Sequence, residues 1–125
     1  MLNIVIMAWI YKPKRKYDND AKRHKRQDIY NTTVWKRMRL AKLMEQPLCE
    51  VCLLQNRTTL AQHCHHLTSF MEGENEFERD ALAFDSSNLC SVCQECHNQI
   101  HNGELKGCKT LDDIKNRLEK LKSEK

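Results

Sequence analysis

Four cysteines stand in two pairs, Cys49-x2-Cys52 and Cys93-x2-Cys96, with forty residues between the pairs. A two-residue gap lets both sulfurs of one turn point at one centre, so the four thiolates can surround a structural zinc ion tetrahedrally. The interval is longer than in a simple zinc ribbon, which implies that something is inserted between the knuckles. Cys90, Cys93 and Cys96 are spaced by three, so Cys90 with Cys93 is an alternative pair. If Cys96 lies on a helix the later pair is favoured, and Cys90 and Cys64 become small buried side chains or adventitious thiols. Between the knuckles lie His65-His66-Leu67 and Asn88-Leu89, and His97 follows the fourth cysteine directly. Imidazole changes charge near neutral pH and is the commonest metal ligand, so these positions could serve a base or a cation.

The elements that must position these groups are legible in outline. Val34, Met38, Ala41 and Met44 recur at near-helical spacing behind the caps Asn31, Thr32 and Thr33, and Pro47 ends that helix. Trp35 and the Met38 stripe read as core, and Lys36, Arg37, Arg39 and Lys42 fall on the other face. Residues 58–66, TTLAQHCHH, read as a strand whose alternation puts Cys64 and His66 on one side and His63 and His65 on the other. The acidic stretch EGENEFERD reads as a surface loop, with a short helix as the alternative. Ser86, Ser87 and Asn88 cap a turn into residues 89–100, where Val92, Cys96 and Ile100 share a helical face that Gly103 and Gly107 close. A last helix starts at the capping pattern of Thr110 and carries Leu111, Ile114, Leu118 and Leu121 inward.

A chain of 125 residues with 40% hydrophobic and only 6% aromatic residues holds one small domain short of large core-filling side chains. Metal or disulfide staples are the usual supplement, and an odd total of seven cysteines with two-residue gaps favours metal in a reducing, cytoplasmic setting. The apolar opening MLNIVIMAWIY lacks a basic leader and is too short to span a bilayer. It reads as a buried strand or as residues upstream of a start at Met7. Charge is uneven: residues 12–45 carry 12 basic and 4 acidic side chains, and residues 46–108 carry 3 and 9. The basic stretch, with Lys12, Lys14, Arg15 and Lys16 at its head and Arg37 and Arg39 on the following helix, suits a phosphate backbone. Residues 1–29 are expected to form a largely extended basic arm, residues 30–108 the zinc-stapled domain, and residues 109–125 a helix packed on it.

Tyr30-Asn31, Trp35, Arg39, the run from Pro47 to Cys52, His65-His66-Leu67, Ser87-Asn88-Leu89 and the run from Cys93 to Asn98 stand in an order that resembles the HNH endonuclease family. The resemblance is to the zinc-stapled members common in bacteriophages and covers about Tyr30 to His101. Two departures are visible. Many relatives have aspartate where His65 stands, and Thr68-Ser69 replaces the family's proline after the histidine pair.

The resemblance implies an α+β fold: a ββα-metal (His-Me finger) core with a four-cysteine structural zinc and flanking helices. It implies DNA hydrolysis that leaves 5′-phosphate and 3′-hydroxyl ends. His66 would be the general base, Asn88 would orient it through its side-chain amide or its backbone carbonyl, and His65 and His97 would hold a catalytic divalent cation. With two neutral nitrogens and no carboxylate, the site is expected to favour Mn²⁺, Ni²⁺, Co²⁺ or Zn²⁺ over Mg²⁺. Because His97 adjoins Cys96, loss of zinc should inactivate as well as destabilise. His24, His63 and His101 read as ordinary surface or core histidines, although His101, four residues after His97, could reach the same metal. DNA is the implied partner, with low sequence specificity, and a homodimer or phage packaging proteins are further candidates in a phage or prophage setting.

Two other classes fit parts of the pattern. A zinc-stapled DNA-binding module without catalysis would bind DNA in a salt-sensitive way and not cut. A zinc protein-interaction domain would use the acidic stretch as its contact and close a second structural zinc with His65, His66 and His97.

Overall fold

The computed structural model describes residues 13–124. The apolar opening, the choice between Met1 and Met7, and Lys12 lie outside them. The chain divides between Thr32 and Thr33 into two compact units.

In the first unit, α1 spans Pro13–Tyr30, in place of the extended arm that the sequence suggests. The helix has a local cause. The segment has no glycine and no proline beyond Pro13, and Lys, Arg, Gln and Ala are strong helix formers even without an apolar stripe. Its end is held by side chains: Gln27 donates to Asn31 Oδ1 at 3.0 Å, and Thr32 Oγ1 donates to the Ile29 carbonyl at 2.7 Å.

The second unit opens with α2, Thr33–Glu45, which stops before Pro47 as its proline requires. Its inward face differs from the expected stripe. Trp35 is buried, while Val34 and Met44 are exposed. Lys42 also turns inward and pairs with Glu50 at 3.4 Å. Next comes the short α3, Glu50–Leu54, capped by the sulfur of Cys49. Of the strand expected over residues 58–66, only β1, His63–His66, forms a ladder, and Leu60 instead bridges back to Leu48 beside the first knuckle.

A turn at Phe70–Glu72 and helix α4, Glu76–Ala83, fill the acidic stretch that reads as a loop. Asn75 Oδ1 accepts from the Glu78 amide at 2.8 Å, and Glu78 reaches back to accept from the Glu74 amide, so the helix start caps itself. Residues 89–100 do not form one helix. Leu89–Val92 is strand β2, buried at every position and antiparallel to β1, and α5 begins only after Cys93, spanning Gln94–Asn102. The helical spacing of Val92 with Cys96 is coincidence, and pairing with β1 decides the local structure. Finally α6, Leu111–Ser123, starts at the expected Thr110 cap and buries Ile114.

The result is an α+β unit in which β1, β2 and α5 form a ββα core. Its interior is built from small residues around the knuckles: Cys49, Val51, Cys52, Cys90, Val92, Cys93 and Cys96, with Ile100, Leu105, Cys108 and Ile114 closing the far side. Among the described residues no helix is long and apolar enough to cross a membrane.

Candidate metal centre and catalytic site

The alternative of Cys90 with Cys93 is not what the fold assembles. Cys49, Cys52, Cys93 and Cys96 are all buried, and their sulfurs lie within 4.8 Å of one another. Cys52 Sγ is 3.8 Å from Cys93 Sγ and 3.6 Å from Cys96 Sγ. Four sulfurs sharing a zinc at ~2.3 Å stand about 3.8 Å apart, so the donor set and spacing fit that ion. Hydrogen bonds from the Cys96 backbone and the neighbouring thiols outweigh burial and lower the Cys93 thiol, while burial raises Cys49. Cys90 is buried on β2 and Cys64 half-buried on β1, outside this cluster.

The second constellation grows from two periodicities. On β1 the two-residue alternation turns His63 and His65 toward α5. On α5 the four-residue spacing brings His97 and His101 together, with their Nε2 atoms 3.0 Å apart. The ligand atoms of His65, His97 and His101 all lie within 4.8 Å of one another. Two imidazoles that share a cation at ~2.0–2.1 Å hold their nitrogens roughly 3.0–3.4 Å apart, so this trio fits a divalent ion. Burial, followed by the neighbouring histidines, holds His65 down to about 3, and burial with His101 and His63 holds His97 down to about 4. Both rings are therefore neutral at physiological pH, the state that donates a lone pair to a metal. His101 thus joins the site, although by residue type alone it reads as an ordinary histidine. The signal that promotes it is its position four residues after His97.

His66 stands on the opposite face of β1, buried, and is not part of that trio. Trp35 stacks on its ring at 4.7 Å, and Phe70 meets it edge-on at 5.0 Å. Its Nε2 lies 3.0 Å from the Ala83 carbonyl oxygen at the end of α4. A carbonyl oxygen only accepts, so Nε2 carries the hydrogen and the neutral ring keeps its lone pair on Nδ1. Burial lowers the His66 pKa, with the Ala83 bond opposing.

Asn88, expected to orient His66 directly, spends its amide elsewhere, and its backbone carbonyl accepts from the Leu67 amide at 2.8 Å. Nδ2 donates to the Thr68 carbonyl at 2.8 Å and the Leu82 carbonyl at 3.0 Å, and Oδ1 accepts from the Thr68 amide at 2.8 Å. Asn88 thus pins the last turn of α4, and Ala83, next to Leu82, holds His66. The clamp also accommodates the departure at position 68: proline there would have no N–H to give to Asn88.

No protein-family model matches the chain, and no curated protein matches it. Among solved structures it is similar to the HNH endonuclease of the deep-sea thermophilic bacteriophage GVE2, crystallised with manganese ion. The two are 30% identical over 67% of this chain and 86% of that one, with a TM-score of 0.55. The chain belongs to the HNH endonuclease family.

Within this HNH endonuclease, the four-cysteine cluster is a site for structural zinc and the histidine trio a site for a catalytic metal. Cys96 and His97, adjacent on α5, face the two sites in turn, because successive helix positions point about 100° apart. Of the basic candidates, Lys14, Arg15 and Lys16 fall in the first turns of α1. Arg37 is exposed on α2, and Arg39 is exposed with its guanidinium also donating to the Gln62 carbonyl at 3.3 Å. Arg39 thus ties α2 to the residue before β1, a role its charge alone does not announce.

Proposed function

We propose that this HNH endonuclease hydrolyses DNA phosphodiester bonds in a metal-dependent reaction that leaves 5′-phosphate and 3′-hydroxyl ends. The observation that carries the proposal is the pairing of a three-histidine ligand set with a separately held, buried histidine on the adjacent strand position. A divalent cation, when bound, supplies Lewis-acid stabilisation of the charge that develops on the phosphate and the departing 3′ oxygen.

The chain's own groups do the rest. His65, His97 and His101 present neutral nitrogens to the cation. His66 takes a proton from water at Nδ1, the water oxygen's electron pair forms the new bond to phosphorus, and the bond to the 3′ oxygen breaks. That oxygen leaves as a hydroxyl after protonation from solvent. Asn88 acts as a positioning residue through the last turn of α4. Lys14, Arg15, Lys16, Arg37 and Lys12 neutralise backbone phosphates without reading bases, so the isolated protein has low sequence specificity. Nicking or double-strand cutting depends on whether two copies, or a packaging partner, present two sites to one duplex.

The test is conversion of supercoiled plasmid to open-circular or linear DNA with added Mg²⁺, Mn²⁺ or Ni²⁺, with EDTA as control. An all-nitrogen protein ligand set favours Mn²⁺ and Ni²⁺ over Mg²⁺ at equal concentration, because imidazole suits them better than it suits the harder ion. Absence of cutting with every metal, while DNA is still bound, refutes the hydrolytic reading. Highest activity with Mg²⁺ refutes the ligand argument alone.

A further inference from the structure

His63, on the same face of β1 as His65, is used by neither the trio nor the base. Its ring lies flat on His97, with centroids 4.7 Å apart and planes 17° apart. His65 and His101 meet His97 differently, edge-on at 75° and 81°. The flat face of His97 is thus covered by His63. A histidine χ2 is a broad, soft rotor, so what lies against that face decides where the ligand nitrogen aims.

His63 is itself fixed. Its Nε2 is 2.6 Å from Gln94 Oε1, and Gln94 Nε2 donates to Asn98 Oδ1 at 2.8 Å. With its nitrogen engaged by Asn98, the Gln94 amide must turn its oxygen to His63. Since that oxygen only accepts, His63 Nε2 carries a hydrogen and has no lone pair there for a cation. The Gln94 backbone amide also donates to Gln62 Oε1 at 3.3 Å, which ties the start of α5 to the residue before β1.

We propose that His63, braced by Gln94 and Asn98, is a positioning residue for the catalytic metal: it stacks on His97 and fixes the aim of that ligand while staying out of the coordination itself. The brace leaves three protein ligands, and a metal with three protein ligands keeps open positions for substrate and water. The inference rests on the histidine trio being the metal site.

The test is calorimetric titration of Ni²⁺ into the full-length, zinc-loaded protein, with wild type, His97→Ala, His63→Ala, His63→Phe and Gln94→Ala compared. Zinc content and melting temperature are recorded for each. The expected result is Ni²⁺ binding about tenfold weaker in His63→Ala, a loss at the low end for groups that orient a metal ligand. Gln94→Ala should show a smaller loss in the same direction. His63→Phe should recover most of the affinity, because a flat ring still covers His97. Zinc content should stay at the wild-type level throughout. Unchanged Ni²⁺ affinity in His63→Ala overturns the proposal, as does His63→Phe binding as weakly as His63→Ala. If His63→Ala does not fold, unchanged affinity in Gln94→Ala overturns it instead. Wild type and His97→Ala binding Ni²⁺ equally would overturn the metal-site reading first, and this proposal with it.

Discussion

Two thiols outside the zinc cluster give the molecule a pH signature separate from catalysis. Burial pushes Cys64 up to about 11 and raises Cys90 further still. The folded state therefore favours the neutral thiol more than the unfolded chain does. That contribution is complete below the ordinary thiol value near 9 and is lost as pH rises through the folded values. Denaturant midpoints should hold level from pH 7 to about 8.5 and fall above pH 9, with a shallower fall in the Cys64→Ala/Cys90→Ala double variant. An equal fall in both proteins would place the alkaline instability elsewhere. At this scale the sequence speaks clearly where spacing encodes geometry: the two-residue gaps of the cysteines and the alternation of His63, His65 and His66 need no tertiary information, whereas the choice of Cys96 over Cys90 as the partner of Cys93 does. The route from Asn88 to His66 is hidden, because it runs through two backbone carbonyls, Leu82 and Ala83, that any residue type would supply. His63 carries the same lesson, since its partner Gln94 lies thirty-one residues away and only strand pairing brings them together.

Among the elements, α5 links the two metal sites. Cys93 stands just before its first residue, Cys96 turns into the sulfur cluster, and His97 and His101 carry the histidine site on its other face. Removing zinc should free the first turn of this helix and with it the aim of His97. Prolonged chelation, or Cys96→Ser, should therefore abolish cleavage and lower the melting temperature together. Restoring the catalytic metal alone should not recover activity until zinc is also returned. Full activity in a zinc-free, Mn²⁺-loaded protein would uncouple the two sites. Element boundaries are less legible than ligands, for physical reasons. Val92, Cys96 and Ile100 fit a helical period, yet β1 needs a partner strand and residues 89–92 supply it. The acidic stretch shows no apolar stripe and still forms α4, because its caps at Asn75 and Glu78 are local. The first helix, α1, likewise rests on propensity with no amphipathic pattern to announce it.

For the whole molecule, the separation of charge along the chain argues that the basic stretch neutralises phosphates and the acidic, metal-binding remainder does the chemistry. Binding to duplex DNA should weaken steeply with salt. Replacing Lys12, Lys14, Arg15 and Lys16 together with Gln should lower affinity for all sequences alike and flatten the log–log salt slope by about 0.9 for each phosphate that is no longer neutralised. A slope equal to that of the wild type would assign phosphate binding to other residues. Fold class and family are legible because the order of knuckle, histidine pair, asparagine and knuckle survives across a sequence otherwise short of core residues. The claim on which the rest depends is that His66, held by Ala83 and stacked on Trp35, is the base. Its most direct test is plasmid cleavage by His66→Ala under saturating Mn²⁺, with DNA affinity, Mn²⁺ affinity and zinc content measured on the same protein. Cleavage should fall at least about 100-fold while those three stay near wild type. Cutting within a few-fold of wild type would contradict it.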